Sequence, residues 1–169
     1  MQTKELIRPT WGKRTEGMTL EAGKNIAEAI MRWNSKIPYD DAIEYAMAAL
    51  KYYYQNDSEF DFCKKLQEVS HGYIRPDSSL LEYIGYELLC LYQIVDKEVE
   101  KWVEENSLWL FNKTGDIVKF KTHLGFEIGE IVALYPKKYA YGIWNSQLEY
   151  EKDKGHLIVH AENIEEKLQ

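Results

Sequence analysis

Apolar residues recur at helical spacing as far as Trp102, and from Leu108 onward they alternate at every second position. A period near 3.6 buries one stripe of a helix and a period of two buries one face of a strand, so one kind of element cannot satisfy both. The chain is therefore expected to be α+β in two parts: an acidic helical domain over residues 1–107, a bundle of about four helices, and a small β-barrel-like domain over residues 108–169 packed against it.

The first helix is expected from an N-cap at Thr19, with Glu21 in its first turn and Ile26, Ile30 and Trp33 on one stripe, and it stops before Pro38. A second is expected from Asp40, with Ile43, Met47, Leu50 and Tyr54 on one stripe and Tyr45 and Tyr52 on another face. Ser58-Glu59-Phe60-Asp61 reads as a capping box that opens a third helix, ended by Gly72. The central helix is expected over about residues 79–105, opened by the box Ser79-Leu80-Leu81-Glu82 and striped by Leu81, Ile84, Leu88, Leu91, Val95, Val99 and Trp102. A second stripe of Tyr83, Tyr86, Cys90 and Ile94 predicts burial on two sides in its first half, with a charged face from Asp96 onward. The stretch around Arg8, Pro9, Gly12, Lys13 and Arg14 has little periodicity and reads as a basic arm or leading loop.

After the turn Asn112-Lys113-Thr114-Gly115, strands are expected over Ile117 to Lys121, Glu127 to Tyr135, Tyr139 to Asn145 and His156 to Ala161. The second is apolar on both faces, with Ile131, Ala133 and Tyr135 on one side and Ile128, Val132 and Leu134 on the other. Such a strand needs cover twice, which predicts docking of the helical part on it.

Charge narrows the partners. The net charge is −7; residues 1–107 carry 13 Lys and Arg against 19 Asp and Glu, whereas residues 108–169 carry 8 against 9. Acidic helices repel a phosphate backbone and favour a partner protein with a basic or mixed surface. Cys63 and Cys90 fall inside helical patterns rather than at the spacings of a disulfide framework, which predicts two free thiols in a reducing, cytoplasmic setting. No apolar run is long enough to span a membrane, and none has the pattern of an export signal, so no membrane partner is expected.

Gly115-Asp116-Ile117-Val118-Lys119-Phe120, then Gly129-Glu130-Ile131-Val132, a Tyr-rich third strand and His156 to Ala161 running into Glu162-Asn163-Ile164-Glu165 together resemble the small SH3-like barrels of the KOW and Tudor type. The resemblance covers about 55 residues. It implies recognition by aromatic side chains, with Phe126, in the loop between the first two strands, and Tyr135, Tyr139, Tyr141 and Trp144 as the candidate binding face. Rings so grouped can cage a cation or stack a base or proline. Tyr45 and Tyr52, on the spare face of the second helix, complete the candidate binding residues.

Catalytic patterns are not found. The sequence has no Gly-x-Ser-x-Gly, no Gly-x-Gly-x-x-Gly and no Walker motif, and its carboxylate pairs Asp40-Asp41, Glu104-Glu105 and Glu165-Glu166 suit exposed faces and helix starts. His156 and His160 could share a metal on a helix, but on a strand four residues hold them roughly 13 Å apart. No catalytic residue, metal or cofactor is expected. The sequence thus points to a non-enzymatic protein-binding factor, such as a small bacterial or phage regulator, inhibitor or immunity-type protein. Nucleic-acid association through the barrel and the basic arm is the alternative, and an enzyme with an unrecognised site is a third reading.

Overall fold

The structure, a computed structural model, describes residues 7–54, 57–146 and 155–169. Among the described residues five α-helices precede a five-stranded antiparallel sheet, so the chain is α+β. It divides into two compact units, Met1–Glu98 and Val99–Gln169.

In the first unit, α1 (Glu16–Trp33) is capped by Thr15, not Thr19: the Thr15 hydroxyl accepts from Met18 N, and the Thr19 hydroxyl donates to Thr15 O inside the first turn. Met18, Ala22, Ile26, Ala29 and Ile30 bury one stripe. α2 (Tyr39–Leu50) starts after Pro38, with Asp40 and Asp41 placed to favour its positive end. Its most buried line is Ala42, Ala46 and Ala49 beside Leu50, rather than the Ile43 and Met47 line the spacing suggests. The alanines let the two helices approach closely, and Met47 lies directly over Gly23.

α3 (Glu59–Val69) opens with the expected capping box, in which Ser58 Oγ accepts from Asp61 N at 3.2 Å and Ser58 N donates to Asp61 Oδ2 at 3.2 Å. The expected single central helix is two. α4 (Ser78–Leu89) is capped by Asp77 rather than Ser79, and Cys90 interrupts the chain before α5 (Leu91–Glu105). The second stripe is not buried as expected, since Tyr83 and Tyr86 are exposed and only Ile94 enters the core. Of the two readings of the basic stretch, the leading loop holds and the free arm does not. Trp11, in the short 3-10 turn Trp11–Lys13, is 2 % exposed and joins the core, while Arg14 donates to Leu50 O at 2.8 Å and Trp11 O at 3.1 Å.

The division between units falls inside α5, upstream of Leu108. Val99 and Val103 are buried, and Ser107 adopts φ 50° as Leu108 N reaches back to Val103 O, a helix stop usually made by glycine. The second unit holds β1 (Ile117–Thr122), β2 (Gly125–Tyr135), β3 (Ala140–Trp144), β4 (Leu157–His160) and β5 (Ile164–Lys167), in the order β4-β3-β2-β1-β5. β2 pairs with β1 through its first half and with β3 through its second, and the register shifts between Ile131 and Ala133. Val118, Phe120, Ile131, Tyr141, Ile143 and Val159 form the core under the sheet. The expected strands are all present, with β5 as a further one, and among the described residues no pairing joins β4 to β5, so the sheet is open.

Candidate functional site

The five aromatic residues expected to form a binding face in the second unit do not converge. Tyr141 is 2 % exposed and part of the core, with its hydroxyl accepting from Asn112 N at 3.2 Å. Tyr135 lies on the opposite pleat, its hydroxyl 2.7 Å from His156 Nε2. Tyr139 is not in a strand and shares no strand face with Tyr141: it takes φ 45° after the 3-10 turn Pro136–Lys138 and meets Trp102 edge-on, ring centroids 6.1 Å apart. Trp144 is half-buried beside Glu130. Phe126 stands in β2, opposite Lys121, rather than in a loop, because His123 and Leu124 alone make the turn. It remains exposed, with Lys119 Nζ 4.8 Å from its ring centroid.

Of the two helical tyrosines, Tyr45 is half-buried against the core of the first unit. Tyr52 is exposed beneath Lys65 Nζ, 4.7 Å from its ring centroid.

The best-formed cavity lies in the first unit, where the turn at Trp11, the segment after α2, the start of α3 and the α4–α5 break meet. It has a volume of about 310 Å³. Trp11, Tyr53 and Tyr92 supply aromatic wall; Leu88, Leu89, Leu91 and Val95 supply aliphatic wall. Tyr53 is buried and packs edge-on against both Trp11 and Phe62, with centroids 6.4 and 5.6 Å away, so the ring is held from two sides. The two lip residues are open to water: Leu89 is 72 % and Tyr92 58 % exposed. Helical geometry explains this, since the break at Cys90 turns Leu89 out at the end of α4 and Tyr92 out at the start of α5.

Two carboxylates border the cavity. Asp57 Oδ2 accepts from Tyr54 N at 2.9 Å, and the Tyr53 hydroxyl donates to Asp57 O at 3.4 Å. Glu59 stands opposite Gly85, where a side chain would begin 3.7 Å from Glu59 Cβ and Cγ. Among the described residues Glu59 makes no ion pair. Burial raises the Tyr53 hydroxyl above its ordinary pKa, and the negative Asp57 and Glu59 push it further. Trp11 Nε1–H is buried and has no hydrogen-bond partner among the described residues. A buried donor left so costs roughly 1–3 kcal/mol.

A second depression, lined by Glu28, Met31, Arg32 and Glu87, is shallower and has paired charges, with Arg32 Nη2 2.6 Å from Glu87 Oε1. The Cys63 thiol is pushed up to about 12 by burial and then by Glu59, and a thiol so held is protonated and inert at neutral pH. Cys63 and Cys90 are both free.

Spacing could not reveal this cavity, because its walls come from three stretches far apart in sequence, at Trp11, Tyr53 to Glu59 and Gly85 to Val95. The one local signal was Leu89 and Tyr92, which fall off the stripe of Leu81, Ile84, Leu88 and Leu91. No protein-family model matches the chain, no curated protein matches it, and no solved structure matches it. No helix among the described residues is long and apolar enough to cross a membrane.

Proposed function

We propose that the chain is a non-enzymatic binding protein that acts by protein–protein contact inside the cell, as a regulator, inhibitor or immunity-type factor does, with the cavity of the first unit at the centre of that contact. The observation that carries this reading is the lip. Leu89 and Tyr92, which both line the cavity, hold large apolar surface in water. Clustered aromatic and aliphatic anchors around a concave centre are the usual makings of an interface hot spot. Tyr86, one turn before Leu89 on α4, is also exposed and extends the same apolar line.

The test is recovery of a partner from lysate by the wild-type chain and by Leu89→Asp and Tyr92→Asp variants. A partner bound by the wild type and lost by both variants supports the reading. A partner bound equally by all three moves the contact elsewhere, and recovery of the bare chain alone removes the reading.

For the second unit we propose an SH3-like small barrel. Its four-strand meander, followed by the 3-10 turn Ala161–Asn163 and a fifth strand returned onto β1, is the strand order that such a barrel needs. One feature favours a second function there. Lys119 and Lys121 flank the exposed Phe126 on one pleat, a pairing of cation and ring that suits a nucleic-acid strand. Binding of single-stranded RNA or DNA that weakens steeply with salt and is lost in Lys119→Glu supports this; no binding at low salt removes it.

A further inference from the structure

We infer, on the nucleic-acid reading of the second unit, that the outer pleat of the β1–β2 hairpin binds single-stranded nucleic acid in register, with successive phosphates over Lys119 and Lys121 and a base stacked on Phe126.

Two columns of side chains select this occupant. Lys119 and Lys121 lie on one face of β1, and across the ladder Lys119 stands opposite Ile128 and Lys121 opposite Phe126, so a basic column runs beside an apolar one. Phe126 is 55 % and Ile128 57 % exposed, and Lys121 is exposed as well. Alternate residues set the members of each column roughly 7 Å apart, and neighbouring strands set the two columns roughly 5 Å from each other. A single strand has the same layout, because its phosphates and its bases form two lines of one repeat, displaced sideways. A peptide strand laid on this face would present only one line of side chains, and lipid headgroups have no fixed repeat. A duplex keeps its bases stacked on one another, out of reach of Phe126.

The charges fit the same placement. Among the described residues neither lysine makes an ion pair; Lys119 Nζ lies 4.8 Å from the Phe126 ring centroid. An exposed contact of that kind is weak, so the ammonium can turn to a phosphate. Residues 108–169 carry 8 Lys and Arg against 9 Asp and Glu, so the lysines do not sit in a strongly acidic unit. Two acids bound the track on this face: Glu166 of β5 stands opposite Lys119, and Glu130 stands opposite Ile117. They confine an anionic backbone to the stretch from Lys119 to the hairpin tip, which is room for two phosphates.

The probes are an oligomer of eight thymidine nucleotides and its abasic counterpart, which keeps the phosphates and lacks the bases. Each is added to the full chain at low salt while the amide signals of Lys119 to Ile128 are followed by NMR. The thymidine oligomer should bind at least about fivefold tighter than the abasic one, because a stacked base contributes that much or more. Its affinity should fall with salt at a logarithmic slope of about −1.4, from two phosphates at about 0.7 each, and Lys121→Gln should halve the slope. Phe126→Leu keeps an apolar side chain without a ring and should erase the advantage over the abasic oligomer, whereas Phe126→Trp should retain it. Lys121 and Phe126 are both exposed, so these variants keep the sheet, which unshifted amide signals in β3 and β4 verify.

Equal affinity for the two oligomers overturns the inference and leaves a purely charge-driven nucleic-acid contact standing, whereas binding of neither removes that reading too. A salt slope unchanged by Lys121→Gln takes the phosphates off β1 and overturns the register. An aspartate octapeptide bound as tightly as the thymidine oligomer would make the face a dock for acidic protein and overturn the inference equally.

Discussion

The indole N–H of Trp33, the last residue of α1, donates to Asp77 Oδ1 at 3.0 Å, and the same oxygen accepts from Ser79 N and Leu80 N at the start of α4. One carboxylate thus caps a helix and ties it to the end of another, 44 residues earlier in the chain. The three donors also hold its pKa below the ordinary carboxylate value, led by Leu80 N and then Trp33.

Asp77→Ala removes the cap and the tie together. The melting midpoint of the helical unit should fall by roughly 3 °C or more, followed by far-UV circular dichroism. Asp77→Asn, whose side-chain oxygen still caps, should recover most of the loss. Equal losses in the two variants would show that charge, rather than hydrogen-bond geometry, is what Asp77 supplies.

Gly129 makes a sharper case in the second unit. A Cβ there would lie 2.5 Å from Ile143 Cγ2 and 2.7 Å from Trp144 O, and the carbonyl belongs to a paired strand that cannot move aside cheaply. Gly129→Ala should therefore destabilise the sheet by about 1–3 kcal/mol, measured by urea unfolding through the loss of its tryptophan signal. No change would mean that β3 can shift without breaking its pairing to β2.

The elements most legible in the sequence were those signalled by local chemistry. Ser58 and Asp61 announce α3 because a capping box needs only four residues, and the change of period at Leu108 separates helices from strands because pleat and helix turn cannot be confused over that length. The misread features depend on small angular changes or on distant contacts. The break at Cys90 leaves Leu88, Leu91 and Val95 still three or four apart, so periodicity runs straight through it. Tyr139 sits among strand-forming residues, and its left-handed backbone comes from the turn at Pro136. Trp11, framed by Pro9 and Gly12, has no local pattern at all; its burial is decided by the helical core it joins, including Tyr53, 42 positions away.

Asp116 gives the pH dependence. It is buried, takes a hydrogen bond from Lys113 N at 3.0 Å and an ion pair from Lys167 at 2.9 Å, and its pKa is held below the ordinary 3.8, by Lys167 first. A carboxylate with a depressed folded pKa adds stability that is fully present above the unfolded value and is lost as pH falls through the folded one. Acid should thus loosen the start of β1 from β5 below about pH 4. Hydrogen exchange at Ile117 and Leu168 should accelerate there in the wild type, and Asp116→Asn should flatten that acid slope while lowering protection at neutral pH.

The enclosed indole nitrogen of Trp11 separates two contributions of one side chain. Trp11→Ala empties a filled core position and should cost about 3–5 kcal/mol, a loss that a residue in a leading arm would not cause. Trp11→Phe keeps most of the ring contacts with Tyr53 and removes a donor that has no partner among the described residues, so the lost volume and the relieved desolvation oppose each other. The net change should lie within about 1 kcal/mol, read from urea unfolding of the helical unit. A cost of several kcal/mol for Trp11→Phe would mean that the N–H has an acceptor in the folded protein.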